Sequence, residues 1–204
     1  MRLILTAALT LASAPVLAQQ LPTEAPGKLD TKQVVAGTYA LDPAHSQVLF
    51  TVNHLGFTEY TGQFTSPSGT LTLDPAHPEA AKVSVTFPVA KVRTTVEALD
   101  KHLQGAEFFD AAKFPTITFV STSVATEGTN ATISGNLTIK GVTKPVVLKA
   151  RLIGAGKAFW GGKKTNVGFA ATTAINRSDF GMGYSVPLVS DRIDLTINAG
   201  FEAQ

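Results

Sequence analysis

Cysteine is missing from the whole sequence. Packing alone has to hold the fold, and disulfides, thiol nucleophiles and thiolate zinc sites are excluded. The apolar start is not followed by a cysteine either, which rules out a lipid-anchored lipoprotein. That apolar run, residues 3–11, is too short to span a bilayer. An excess of charge of one sign is lacking too: 17 basic residues against 15 acidic ones leave a formal charge of +2, no footprint for nucleic acid. Enzyme signatures are equally sparse. There is no Gly-x-Ser-x-Gly elbow, and the loop ending Gly161-Gly162-Lys163 misses the phosphate-loop spacing by one residue. His45, His54, His77 and His102 are too scattered to assemble a metal site from sequence. Asp42, His45 and Ser46 are triad residue types, but within five consecutive positions they cannot converge as orienter, base and nucleophile. No catalytic residue, metal or cofactor is expected.

What is present begins with Met-Arg, the apolar run, and a small-residue stretch ending Val16-Leu17-Ala18, the pattern of a cleaved secretory signal over residues 1–18. Residues 19–37 carry Pro22, Pro26 and Gly27 with little periodicity and read as a flexible leader. Residues 38–204 form one domain, in which two-residue alternation dominates. Val48, Phe50, Val52 and His54 share a face; so do Val83, Val85 and Phe87; Ile117 and Phe119; Ile133, Gly135, Leu137 and Ile139. Later sets are Val146, Leu148, Ala150 and Leu152; Val167, Phe169, Ala171, Thr173 and Ile175; and Ile193, Leu195, Ile197, Ala199 and Phe201. With a further strand at 70–73, about eight antiparallel strands are predicted, with turns at Thr129-Asn130 and Gly141-Val142. One short helix interrupts them: Thr94 and Glu97 read as a capping box, Gly105 as the stop, and Val96, Leu99 and Leu103 as the inward stripe. A one-faced sheet with a single helix closes most simply on itself, giving an all-β, lipocalin-like antiparallel barrel with the helix packed on it. Small inward residues, Gly135, Ala150, Ala171 and Ala199, argue for a hollow interior, although small and large residues also alternate in filled barrels.

Several stretches carry a resemblance. They are Asp42-Pro43-Ala44-His45-Ser46, Asn53-His54-Leu55-Gly56-Phe57, the run from Asp100 through Phe108-Phe109 and Phe114-Pro115 to Phe119, Gly135-Asn136-Leu137-Thr138-Ile139-Lys140-Gly141, and Asn176-Arg177-Ser178-Asp179-Phe180-Gly181. In order and spacing they resemble the YceI-like family of periplasmic lipid-binding and polyisoprenoid-binding proteins. The resemblance implies a periplasmic location, an isoprenoid or fatty-acyl ligand and non-covalent, non-catalytic binding. One departure is that many members have an arginine just before the helix aspartate, where this chain has Leu99-Asp100.

On this reading the tunnel lining comprises Phe50, Val52, Phe87, Leu99, Leu103, Phe108, Phe109, Phe114, Phe119, Phe169, Phe180 and Tyr184. His54, Arg177 and Asp100 are the rim and headgroup candidates. His54 is equally a strand-end histidine bonded to backbone. Arg177 is expected to pair with Asp179 or Asp100, and Asp100 and His102 to sit on a solvated helix face. Lys157, Lys163 and Lys164 flank Trp160 in a Gly-rich loop that is either a membrane-touching tip or a solvated hairpin. The partner expected is one amphiphilic small molecule; dimerisation is left open. Two rivals remain: a filled, stress-related interaction module with Phe180 and Tyr184 as its patch, and a lipid-ester hydrolase.

Overall fold

A computed structural model describes residues 22–159 and 164–204. The expected signal at 1–18, Trp160 and Lys163 therefore lie outside the described residues. The strands are β1 (Gly37–Leu41), β2 (Gln47–His54), β3 (Thr58–Phe64), β4 (Ser68–Leu73), β5 (Lys82–Pro88), β6 (Val92–Arg93), β7 (Thr116–Glu127), β8 (Asn130–Ile139), β9 (Val142–Lys157), β10 (Thr165–Asn176) and β11 (Arg192–Ala203). All pair antiparallel, and β11 pairs back onto β1 to close the sheet.

The eleven segments make an eight-strand closed barrel, because three walls of it are broken strands. β1 and β2 both pair with β11, one after the other. β4 and β3 continue each other opposite them, and β5 and β6 continue each other opposite those. β7 to β11 are unbroken and follow in chain order. The break between β1 and β2 is patched by Ser46, whose Oγ accepts from Gly200 N at 2.9 Å and donates to Gly200 O at 3.3 Å. β5 pairs with β7, but among the described residues β6 has no strand on that side. Helix α1 (Glu97–Leu103) and the segment after it pack over this gap, which is why this helix sits at this end of the barrel.

Hairpin turns fall one residue earlier than the sequence suggested, at Gly128-Thr129 and Lys140-Gly141. Lys140 and Gly141 both have positive φ, as the tight turn matched to strand twist requires. The capping box does not form. Val96 is the N-cap residue and is half exposed rather than inward. Thr94 instead donates its backbone N–H and its hydroxyl to Asp100 Oδ1, at 2.6 and 2.7 Å. Asp100 is thus only 7% exposed, not on a solvated face. It ties the helix to the end of β6, so it is an anchor and lies outside the cavity lining.

The leader also departs from expectation. Its second half docks on the barrel end opposite α1, where Lys28 and Ala155 exchange two backbone hydrogen bonds of 2.9 Å. A 3-10 turn, Thr31–Gln33, follows, and Val34 joins a buried cluster with Tyr39, Leu41, Leu71, Val167 and Phe201. Proline and glycine content made this stretch look structureless, but the edge of β9 beyond the end of β8 offers it backbone partners.

Candidate functional site

The interior is hollow. Val48, Phe50, Val52, Val83, Val85, Ile133, Val146, Leu148, Ile193, Leu195 and Ile197 point inward yet are only half-buried, because their inner surfaces face a cavity of about 710 Å³. Protein interiors normally close such space to crystal-like density. The size falls within that of ligand pockets.

Along β2, β5, β7 and β10 the residues that parity directs inward border the cavity. Phe50, Val52, Phe87, Phe119 and Phe169 all border the cavity, as do Leu99 and Leu103 from α1, Phe108 and Phe109 after it, and Tyr184. Ala150, Ala171 and Ala199 border it as well. Gly135 has another role: a Cβ there would lie 2.4 Å from the Phe119 ring, so the glycine receives that ring against the wall. Gly62 does the same for its cross-strand partner Phe50, at 2.2 Å.

Phe114 and Phe180 do not line the cavity. Phe114 lies over Gly141, where a Cβ would meet its ring at 2.6 Å, closing the outside of the β8–β9 turn. Phe180 is almost fully buried in the cluster with Val89, Val92, Phe109 and Met182. Phe114 follows a turn and Phe180 ends a 3-10 turn, where two-residue parity gives no direction.

Polar side chains enter the lining at both ends, Thr126, Thr129, Asn130 and Arg151 at the leader end and another set at the helix end. His54, Tyr60, Thr94, His102, Tyr184 and Ser185 gather there with Arg177. His102 Nε2 lies 2.9 Å from Glu107 Oε2, and its ring packs edge-on to Phe108 and Tyr184. Tyr60 Oη lies 3.0 Å from Thr95 Oγ1, and the Thr95 and then the Thr94 side chains hold its phenol below the usual range. Tyr60 and Thr94 were missed from sequence. The Tyr60, Gly62, Phe64 alternation of β3 carried the signal, hidden by the polar residues between them. His54 borders the cavity, and the bridge between its position and Val189 is made by backbone groups, Ser190 N donating to Asn53 O and Leu55 N to Leu188 O.

Arg177 is 3% exposed and forms no ion pair with Asp179 or Asp100. Its guanidinium donates to four backbone carbonyls: Nε to Ser190 at 2.9 Å, Nη1 to Met182 and Tyr184, and Nη2 to Val189 at 2.9 Å. Burial pushes its pKa down and Asp191 opposes that. Asp191 accepts from the Ser178 backbone and hydroxyl, at 2.8 and 2.6 Å, and the hydroxyl first, then the amide, hold its carboxyl below the usual range. Arg177 and Asp191 thus fix the loop that carries Tyr184 to the cavity.

Asp42 Oδ2 does reach His45 Nδ1, at 2.6 Å, while the Ser46 hydroxyl is engaged by Gly200, so the three do not line up as a triad. Beside the helix end, the tight turn at Leu55 and Gly56, both with positive φ, pushes Phe57 out to 86% exposure. Leu55 N donates to Leu188 O at 2.8 Å, and Leu188 is itself 65% exposed. An apolar rim therefore borders this end. At the opposite end Lys164 pairs with Glu202 at 3.3 Å and Lys157 is exposed.

The comparisons agree with this geometry. A family profile described as the YceI-like domain matches residues 39–201. The protein YceI of Salmonella arizonae is 43% identical over 170 residues, covering 82% of this chain and 88% of its own. The crystal structure of Burkholderia cenocepacia BcnA superposes with a TM-score of 0.68 at 25% identity, over 78% of this chain and 98% of that one. A polyisoprenoid binding domain from Saccharophagus degradans, implicated in plant cell wall breakdown, shares the fold with a TM-score of 0.62 at 15% identity, over 81% and 98%.

Proposed function

Because this chain belongs to the YceI-like family, we propose that its barrel binds and carries one amphiphile with a long apolar tail, without catalysing a reaction on it. The ligand class is isoprenoid or fatty-acyl: a polyisoprenoid, an isoprenoid quinone or a fatty amide or acid. One observation carries this reading, the roughly 710 Å³ of unfilled space behind inward aliphatic and aromatic side chains. The polyisoprenoid binding domain of Saccharophagus degradans has a related fold, and at 15% identity it lends the fold alone.

Each methylene buried contributes roughly 0.8 kcal/mol, so a tail of about fifteen carbons gives around 12 kcal/mol before ordering costs. A polar headgroup contact gives about 1 to 3 kcal/mol. The tail sets affinity, and the polar cluster of His54, Tyr60, Thr94, His102 and Tyr184 sets orientation. The secretory-like start supports the reading of a periplasmic carrier. The apolar rim of Leu55, Phe57 and Leu188 fits contact with a donor or acceptor membrane better than Lys157, at the end of β9, and Lys164, which lie at the other end.

The test is mass spectrometry of an organic extract of the protein purified from its native periplasm, against a mock extract. A stoichiometric isoprenoid or acyl species supports carriage and gives the tail length. An empty extract, together with no thermal shift from quinones or fatty amides, overturns it and favours an interaction module.

A further inference from the structure

We propose that the docked leader, through Val34 and Thr31, sets the length of tail the cavity accepts; this rests on the carriage reading above. Both residues border the cavity at the end opposite α1, where Phe169 and Phe201 pack against each other at 6.3 Å. Val34 is 9% exposed and packed against Tyr39, Leu71, Val167 and Phe201, so it is a fixed part of the wall. A tail entering from the helix end runs toward it.

Three features hold the leader there. Tyr39 is fully buried, and its hydroxyl donates to Val35 O and accepts from Val35 N at 3.2 Å. Asp30 caps the turn, accepting from Lys32 N at 3.0 Å. β9 presents glycine where the leader crosses: a Cβ at Gly156 would lie 2.2 Å from Pro26 O, and one at Gly154 would lie 3.4 Å from Lys28 O. At Gly156 backbone comes that close only over glycine, whereas the 3.4 Å at Gly154 is ordinary contact. The glycines face the leader from outside the cavity, so the docking can be broken without touching the lining.

The experiment is a series of saturated primary fatty amides of increasing length, titrated by displacement of a fluorescent fatty-acid probe. For the wild-type protein, affinity should rise about fourfold per added methylene and then level off where the tail meets the leader. Val34→Ala and Gly156→Val should move the levelling point to longer amides, Val34→Phe to shorter ones. Undocking in Gly156→Val is read separately as faster trypsin cleavage after Lys28 and Lys32. The same levelling point in Val34→Ala, Val34→Phe and wild type overturns the assignment while leaving carriage standing. Failure of the wild type to bind any amide or isoprenoid alcohol overturns both. If Gly156→Val does not fold, the two Val34 variants still decide the matter.

Discussion

Glycine at positions 62 and 135 is best understood through the rings that lie on it. Phe50 and Phe119 can lie flat on the wall only because nothing projects beneath them. Gly135→Ala should drive the Phe119 ring inward, with a cost of about 1 to 3 kcal/mol in urea unfolding and weaker ligand retention. Adding Phe119→Leu should recover part of the stability; a double variant no better than the single one would mean that the ring is not the obstacle. Arg177 is a second case in which the partner defines the role. Its planar fork meets four carbonyls, and a lysine ammonium cannot. Arg177→Lys should cost about 2 to 3 kcal/mol, with loss of order around Tyr184. From sequence, an arginine near two aspartates suggested an ion pair, since carbonyls that converge only after folding leave no mark in composition.

At the scale of elements, strands were legible wherever an apolar residue recurred at every second place, as along β2, β8 and β11. β1, β3 and β6 were not: β1 has five residues, β3 has the inward set Tyr60, Gly62 and Phe64, and β6 has two residues. Helix α1 was found with its inward leucines right and its cap wrong, because the Thr94 side chain serves Asp100 and not the helix start alone. That tie lets α1 and the Phe108 segment stand as a wall across the strand gap. Phe108→Asp should therefore abolish retention of a long amide, whereas His54→Ala should change headgroup preference with little loss of affinity. A thermal-shift titration of both variants checks this, and equal retention by Phe108→Asp and wild type would sink the tunnel assignment.

For the molecule as a whole, acid is the informative stress. Ser178 holds the Asp191 carboxyl low, and at Asp42 burial raises the carboxyl but His45 and the Ala44 amide outweigh it. Carboxyls lowered in this way add stability above their unfolded value, roughly pH 3.9, and lose it as pH falls through the lower folded value. The urea midpoint should be flat from neutral to about pH 5 and fall below about pH 4, less steeply in Asp191→Asn; both groups are near the surface, so the decline is modest. The barrel could be read from the sequence because closure follows from one-sided strands with too few helices to cover them. The docked leader could not, since its partners are the backbone of β9 and a tyrosine hydroxyl.

The three interrupted strands are neighbours, so the barrel has one seamed flank and one continuous one. Along the seam, residues 42–46, 65–67 and 89–91 break the ladder; from β7 to β11 it runs on over long strands. The shell is therefore unevenly stiff. Widening to admit a bulky tail would open the seam and leave the other side as a fixed backstop. Amide exchange should record this as faster deuterium uptake in β1 to β6 than in β8 to β10, with the difference shrinking once the interior is filled.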